Sequence, residues 1–330
     1  MPETAPVSMT PAQQNKTFGW GVTSHITWEQ TENGWSPKMK IQVGSGIANH
    51  TVTANTTVGP TSHTPSMEQW LKEGLSLPQG QVHSGFFCAS SDDQSVNMCS
   101  AKLWRGNNQE NNDVYLYLPG SGGGPDVYLD MTTKELKKST FAKLHRDYTW
   151  IVVDTSKVKV SKKGWKACMP VWYHKLAREL GRQVAEKGGR FCFMGYSRGA
   201  FWGVSLLMEN PGLFQRAVLI APYVTGNLDT SQEAMDRLST NIKDTLVLVC
   251  ASKNDKSCKW EEEAAFLNGM QNLSPRSWHV HVEDGPSHEE MRQQCIIGDG
   301  GAISKTSDLI LQVLYTWDPQ HLTDDLPVNT

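Results

Sequence analysis

Short apolar runs rich in β-branched and aromatic residues recur along this chain, and segments of helical periodicity alternate with them. The runs are WIVVD (150–154), RFCFM (190–194), RAVLIAP (216–222), TLVLVCA (245–251) and WHVHV (278–282). A strand without polar alternation is buried on both faces, and such strands alternating with helices indicate a parallel sheet covered on both sides. One helix is expected over 170–187, where Trp172, Leu176, Leu180 and Val184 share a face before Gly188-Gly189 ends it. Others are expected over 200–209, 260–271 and 305–316. SGFFCASS and VNMCSAKLWRG read as two strands around the turn-like Ser91-Asp92-Asp93, so the sheet opens antiparallel. The expected class is α/β, with a mostly parallel central sheet and helices on both faces.

Residues 1–82 read as an N-terminal extension packing on this core, and 83–330 as the domain that carries the chemistry. The first 18 or so residues are polar and read as a mobile tail. A hairpin follows, with Asn33-Gly34 supplying its turn. The Thr/Ser/Asn-rich stretch 44–64 reads as loop or irregular strand, and Pro65 opens a short helix. Trp20, Trp28, Trp35 and Trp70 pack this extension in the simplest reading.

A formal net charge of −3 gives no electrostatic case for binding nucleic acid or an acidic membrane surface. No apolar run approaches the roughly 18 residues of a membrane helix, and no signal peptide is visible, so the cytoplasm is the expected compartment. N-x-S/T triplets begin at Asn15, Asn49, Asn55 and Asn272 and matter only in a secreted protein. The 7 cysteines are too sparse for a disulfide scaffold and lack zinc-type spacing.

The run RFCFM leads into Gly195-Tyr196-Ser197-Arg198-Gly199 and then a helix. Glycines on either side let strand and helix approach closely while Ser197 takes a strained conformation, and the helix N-terminus adds positive dipole beside it. Ser197 is therefore the candidate nucleophile. A serine hydroxyl needs a base, and His288 follows the last core strand in a loop, whereas His279 and His281 sit within that strand. The base needs an acid to hold its tautomer, and Asp255 lies in the loop after TLVLVCA; Asp284 and Asp229 are the alternatives. Two N–H donors for a developing oxyanion come from Arg198, directly after the serine, and from the glycine-rich loop Pro119–Gly124. That loop lacks the G-K-[ST] ending of a phosphate loop.

GYSRG, LPGSGGG, ASKNDKS and GPSHEEM together make the chain from Gly85 to Trp317 resemble the α/β-hydrolase superfamily, in its esterase, thioesterase and dienelactone-hydrolase branches. The resemblance implies a Ser197–His288–Asp255 triad acting through an acyl-enzyme, with no metal or organic cofactor. Many relatives begin the oxyanion loop with His-Gly where this chain has Pro119-Gly120, which makes Ser121 the second donor, with Gly122 next. Arg198 is bulkier than its usual counterparts, and either pairs with a nearby carboxylate or touches a substrate carboxylate.

Tyr196, Trp165 and Trp172 are candidate substrate contacts. Lys157, Lys159, Lys162, Lys163 and Lys166 make the loop around Trp165 basic, which suits a negatively charged acyl or aromatic substrate or simply a solvated loop. PYVTGNLDTSQEAMD reads as a short lid. The expected partner is a small-molecule ester or thioester. A peptidase or acyltransferase using the same residues, and a hydrolase-fold binding protein without activity, are the rival readings.

Overall fold

A computed structural model describes residues 14–18, 22–31, 34–43, 50–54, 65–90, 96–107, 112–121, 147–154, 171–224, 228–293 and 305–316. By its contacts the chain divides into Met1–Thr64 and Pro65–Thr330. The first unit holds one antiparallel sheet of β1 (Gln14–Phe18), β2 (Val22–Thr31), β3 (Gly34–Val43) and β4 (His50–Ala54), paired in chain order. The hairpin read from the sequence forms, but Thr31 pairs with Gly34, so Gly34 opens β3 and is not part of the expected Asn33-Gly34 turn. In β4, HTVTA pairs with β3 from Val43↔His50 to Met39↔Ala54, so part of the stretch read as loop or irregular strand is regular strand; its Thr and Val residues favour that state. The stretch read as a mobile tail ends earlier than residue 18, because Gln14–Phe18 pair with β2 as regular strand; the residues before Gln14 lie outside the described residues.

The second unit begins with helix α1 (Met67–Leu75), whose N-cap Ser66 accepts the Gln69 amide at 3.2 Å. Its Trp70 is buried against His83 and Phe87, with ring centroids 5.0 and 5.3 Å away. The sheet contains β5 (Val82–Ser90), β6 (Val96–Trp104), β7 (Val114–Leu118), β8 (Thr149–Val153), β9 (Phe191–Tyr196), β10 (Arg216–Ile220), β11 (Leu246–Ser252) and β12 (Trp278–Glu283). Their order is β12-β11-β10-β9-β7-β8-β6-β5. The β5–β6 and β6–β8 pairs are antiparallel and every other pair is parallel. This is the α/β-hydrolase fold.

Alternate residues of each parallel strand enter two different cores, as a period of two requires. Leu116, Ile151, Phe193, Leu219 and Val249 pack against α1 and four further helices: α2 (Val171–Glu186), α3 (Arg198–Glu209), α4 (Gln232–Asn241) and α5 (Trp260–Leu273). Tyr117, Val152, Met194, Val218 and Leu248 face the other way. They meet α6 (His288–Arg292), α7 (Lys305–Leu311) and a π-helical turn (Gln312–Thr316). The segment read as a lid is in part α4: Ser231 caps it through the Ala234 amide, and Ala234 and Leu238 are buried in the core. A helix anchored by its apolar face is core, not lid.

The chain leaves β7 towards β8 and returns to the opposite side of β7 as β9. Ligands of open α/β sheets bind where the strand order reverses in this way, outside the carboxyl ends of the strands. Here those ends carry Pro119-Gly120 and Ser197.

Candidate active site

The turn from β9 into α3 is as tight as its glycines permit. A Cβ on Gly199 would lie 1.9 Å from the Leu118 carbonyl oxygen, and one on Gly195 2.7 Å from the Gly199 carbonyl carbon. Neither backbone atom can give way. Between them Ser197 has φ 53° and ψ −118°, a region that costs a side-chain-bearing residue about 1–3 kcal/mol. Two hydrogen bonds hold it there: the Ser197 amide donates to the Ile220 carbonyl at 2.8 Å, and the Phe201 amide donates to the Ser197 carbonyl at 3.0 Å.

His288 is the first residue of α6. Ser287 and Glu290 form a reciprocal capping box, in which the Ser287 amide donates to the Glu290 carboxylate at 2.7 Å. His288 Nε2 lies 3.0 Å from Ser197 Oγ and Nδ1 lies 2.6 Å from Asp255 Oδ2. The other Asp255 oxygen, Oδ1, accepts the Ser257 and Cys258 amides at 2.7 and 2.9 Å. Burial works to raise the Asp255 carboxyl and is the largest single influence. The hydrogen bonds from His288, Cys258 and Ser257 together outweigh it, and the net shift is downward. Asp255 is therefore an ionised acceptor at neutral pH, Nδ1 carries the imidazole proton, and Nε2 is left to accept from the Ser197 hydroxyl.

The two loops are tied to each other. Ser252 Oγ donates to the Pro286 carbonyl at 2.5 Å, Asn254 Nδ2 to the Gly285 carbonyl at 3.0 Å, and the Lys253 amide to the Glu283 carbonyl at 2.8 Å. The alternative acids lie elsewhere. Asp284 is exposed and pairs with Lys253 at 2.8 Å, and Asp229 accepts the Ser231 amide ahead of α4 at 3.0 Å. His281 Nε2 lies 3.4 Å from Glu283 within β12.

Arg198 is the first residue of α3, where the leading N–H groups have no carbonyl one turn earlier in the helix. Its side chain is buried, with the guanidinium 5.0 Å from the centroid of Trp202, one turn along the same face. Burial draws its pKa down, opposed by Tyr173. Tyr196 is also buried, and its hydroxyl donates to the His288 carbonyl at 3.0 Å. Gly120 sits over both residues: a Cβ there would meet the Tyr196 ring at 2.9 Å and Ser197 Cβ at 3.3 Å. Ser121 follows, exposed. Gly122 and Trp165 lie outside the described residues, as does the side chain of Trp172 in α2.

Sequence reasoning missed Cys258. Its thiol is buried beside Asp255 and His288, the donor atoms of all three lying within 4.8 Å of one another. It also missed Glu263 of α5, a buried carboxylate that accepts the Val224 amide at 2.9 Å and so fixes the chain after β10. The Ser-x-x-Glu capping box at Ser287 was visible in the sequence, but no local signal marks the other two.

No family model matches this chain, and no curated protein matches it. Among solved structures it is similar to an esterase of Pyrococcus furiosus at 13% identity and TM-score 0.46, over 68% of this chain and 89% of that one. It is similar to a Pyrobaculum calidifontis esterase at 14% identity and TM-score 0.46, over 74% and 87%. A ferulic acid esterase is similar at 13% identity and TM-score 0.46, over 66% and 97%.

Proposed function

We propose that this protein is a serine hydrolase that cleaves a carboxylic ester or thioester through an acyl-enzyme. The observation carrying the proposal is the unbroken series Ser197 Oγ–His288 Nε2, 3.0 Å, and His288 Nδ1–Asp255 Oδ2, 2.6 Å, ending on a carboxylate held by two amides. Both distances are within direct proton-transfer reach.

In the first half-reaction Ser197 Oγ attacks the carbonyl carbon while its proton passes to His288 Nε2. Asp255 holds the ring in the accepting tautomer and stabilises the imidazolium. The tetrahedral oxyanion takes hydrogen bonds from the Arg198 and Ser121 amides, with Gly122 next in the same loop; one such donor is worth about 10²–10³ in turnover. Collapse breaks the bond to the alcohol or thiol, which leaves with the proton from Nε2. Water then adds to the acyl-enzyme, giving a proton to His288. The second collapse releases the carboxylic acid and returns that proton to Ser197. In this reading Tyr196 holds His288 in place from behind.

A fluorophosphonate probe tests the proposal, because it phosphonylates only a serine activated in this way. Wild-type protein labels at Ser197 and Ser197→Ala does not. A wild-type protein that resists the probe, or an alanine variant that labels equally, overturns the reading.

A further inference from the structure

Three side chains with metal-binding donors converge beside Ser197. The Asp255 carboxylate, the Cys258 sulfur and a ring nitrogen of His288 all lie within 4.8 Å of one another. Asp255 and Cys258 are 3% and 6% exposed, while the His288 side chain keeps 21% of its surface open to solvent. Cys258 follows Asp255 in one tight turn and His288 comes from the next strand's loop, so no local Cys/His spacing marks the group in the sequence. The two loops are locked together through Ser252, Lys253 and Asn254.

We propose that this cluster is an inhibitory site for a borderline-soft divalent cation of the Zn²⁺ class, bound by Asp255, Cys258 and His288. The donor set decides the class of ion. Sulfur, imidazole nitrogen and carboxylate oxygen together suit Zn²⁺ or Co²⁺, whereas Mg²⁺ and Ca²⁺ require oxygen ligands. Tetrahedral Zn²⁺ separates its donors by about 3.3–3.8 Å, so His288 Nδ1 and Asp255 Oδ2, now 2.6 Å apart, must open by somewhat under an ångström while Cys258 Sγ stays or draws in by up to about an ångström. The fourth position falls to a water.

The consequence for catalysis follows from the imidazole. A neutral ring has one nitrogen lone pair, and once that pair binds a cation neither nitrogen can accept the Ser197 proton. Binding releases the Cys258 thiol proton to solvent and leaves the Ser197 proton in place. The inhibitory effect rests on the proposed hydrolase reading; the binding itself does not.

Two readouts separate these claims. Co²⁺ added to the protein gives a near-ultraviolet sulfur-to-cobalt charge-transfer band, and Cys258→Ser, which keeps the amide that Asp255 accepts, loses it. Zn²⁺ slows fluorophosphonate labelling, a chelator restores it, and Mg²⁺ at the same concentration does nothing. In Cys258→Ser, measured against its own metal-free rate, half-inhibition requires at least about tenfold more Zn²⁺. Absence of the Co²⁺ band in wild type, its persistence in Cys258→Ser, or equal Zn²⁺ sensitivity in both proteins overturns the site. A wild type that shows the band but never labels keeps the site and overturns the hydrolase reading instead.

Discussion

The Tyr196 hydroxyl donates to the backbone carbonyl of His288 at 3.0 Å, joining the residue before Ser197 to His288 across 92 positions of sequence. Their rings lie 5.0 Å apart. Tyr196→Phe keeps the ring and leaves the His288 carbonyl without this donor. The expected cost is about 1 kcal/mol of stability in urea unfolding. A several-fold slower fluorophosphonate labelling rate accompanies it, since His288 is less well held. Unchanged labelling would assign the hydroxyl to stability alone.

Asp255→Asn separates geometry from charge. An asparagine oxygen can still accept the Ser257 and Cys258 amides, but its NH₂ then faces His288 Nδ1 and favours the tautomer that cannot accept from Ser197. Hydrolysis of p-nitrophenyl acetate should fall by about three to four orders of magnitude while far-ultraviolet circular dichroism is unchanged. Asp284→Asn, which touches only an exposed pair with Lys253, should remain near wild type. Reversal of that ranking would move the acid to Asp284.

Acid stability reports the same carboxylate. The native pKa of Asp255 lies below its ordinary value of 3.8. A depressed carboxyl pKa contributes stability that is complete above the ordinary value and disappears as pH falls through the lowered one. The gap in urea midpoint between wild type and Asp255→Asn should thus be constant from neutrality down to about pH 5 and shrink below about pH 4. A gap that widens on acidification would mean that burial outweighs the hydrogen bonds at Asp255.

The sequence made the sheet legible because its strands are apolar on both faces, and the elbow legible because two glycines bracket a serine between strand and helix. It favoured Asp255 over Asp229 and Asp284 only by the place of its loop, because all three look alike as loop aspartates. What separates them is burial and two amide donors, both products of how the loop closes. The contact of Arg198 with Trp202 was not among the readings of that side chain, although it left a signal: Trp202 stands at i+4 on the same helix, the spacing at which side chains meet. The approach of Cys258 to His288 was not legible, because the two residues come from the loops after different strands, β11 and β12. Nor does a run of strands announce that β8 lies outside β7, the crossing that opens the site.

The elbow's steric limit is testable at one glycine against another. A Cβ on Gly199 would enter the Leu118 carbonyl at 1.9 Å, and relief means moving β7 away from α3. At Gly269, in α5, the nearest atom is the Met235 sulfur at 3.3 Å, the end of a flexible side chain. Gly199→Ala should therefore cost at least about 3 kcal/mol and displace Ser197. Gly269→Ala should be neutral or gain up to about 1 kcal/mol from helix propensity. Thermal melts of both variants and their labelling by fluorophosphonate check the pair. If Gly199→Ala melts and labels like wild type, the close approach of β7 to α3 is not what holds Ser197 in its strained conformation.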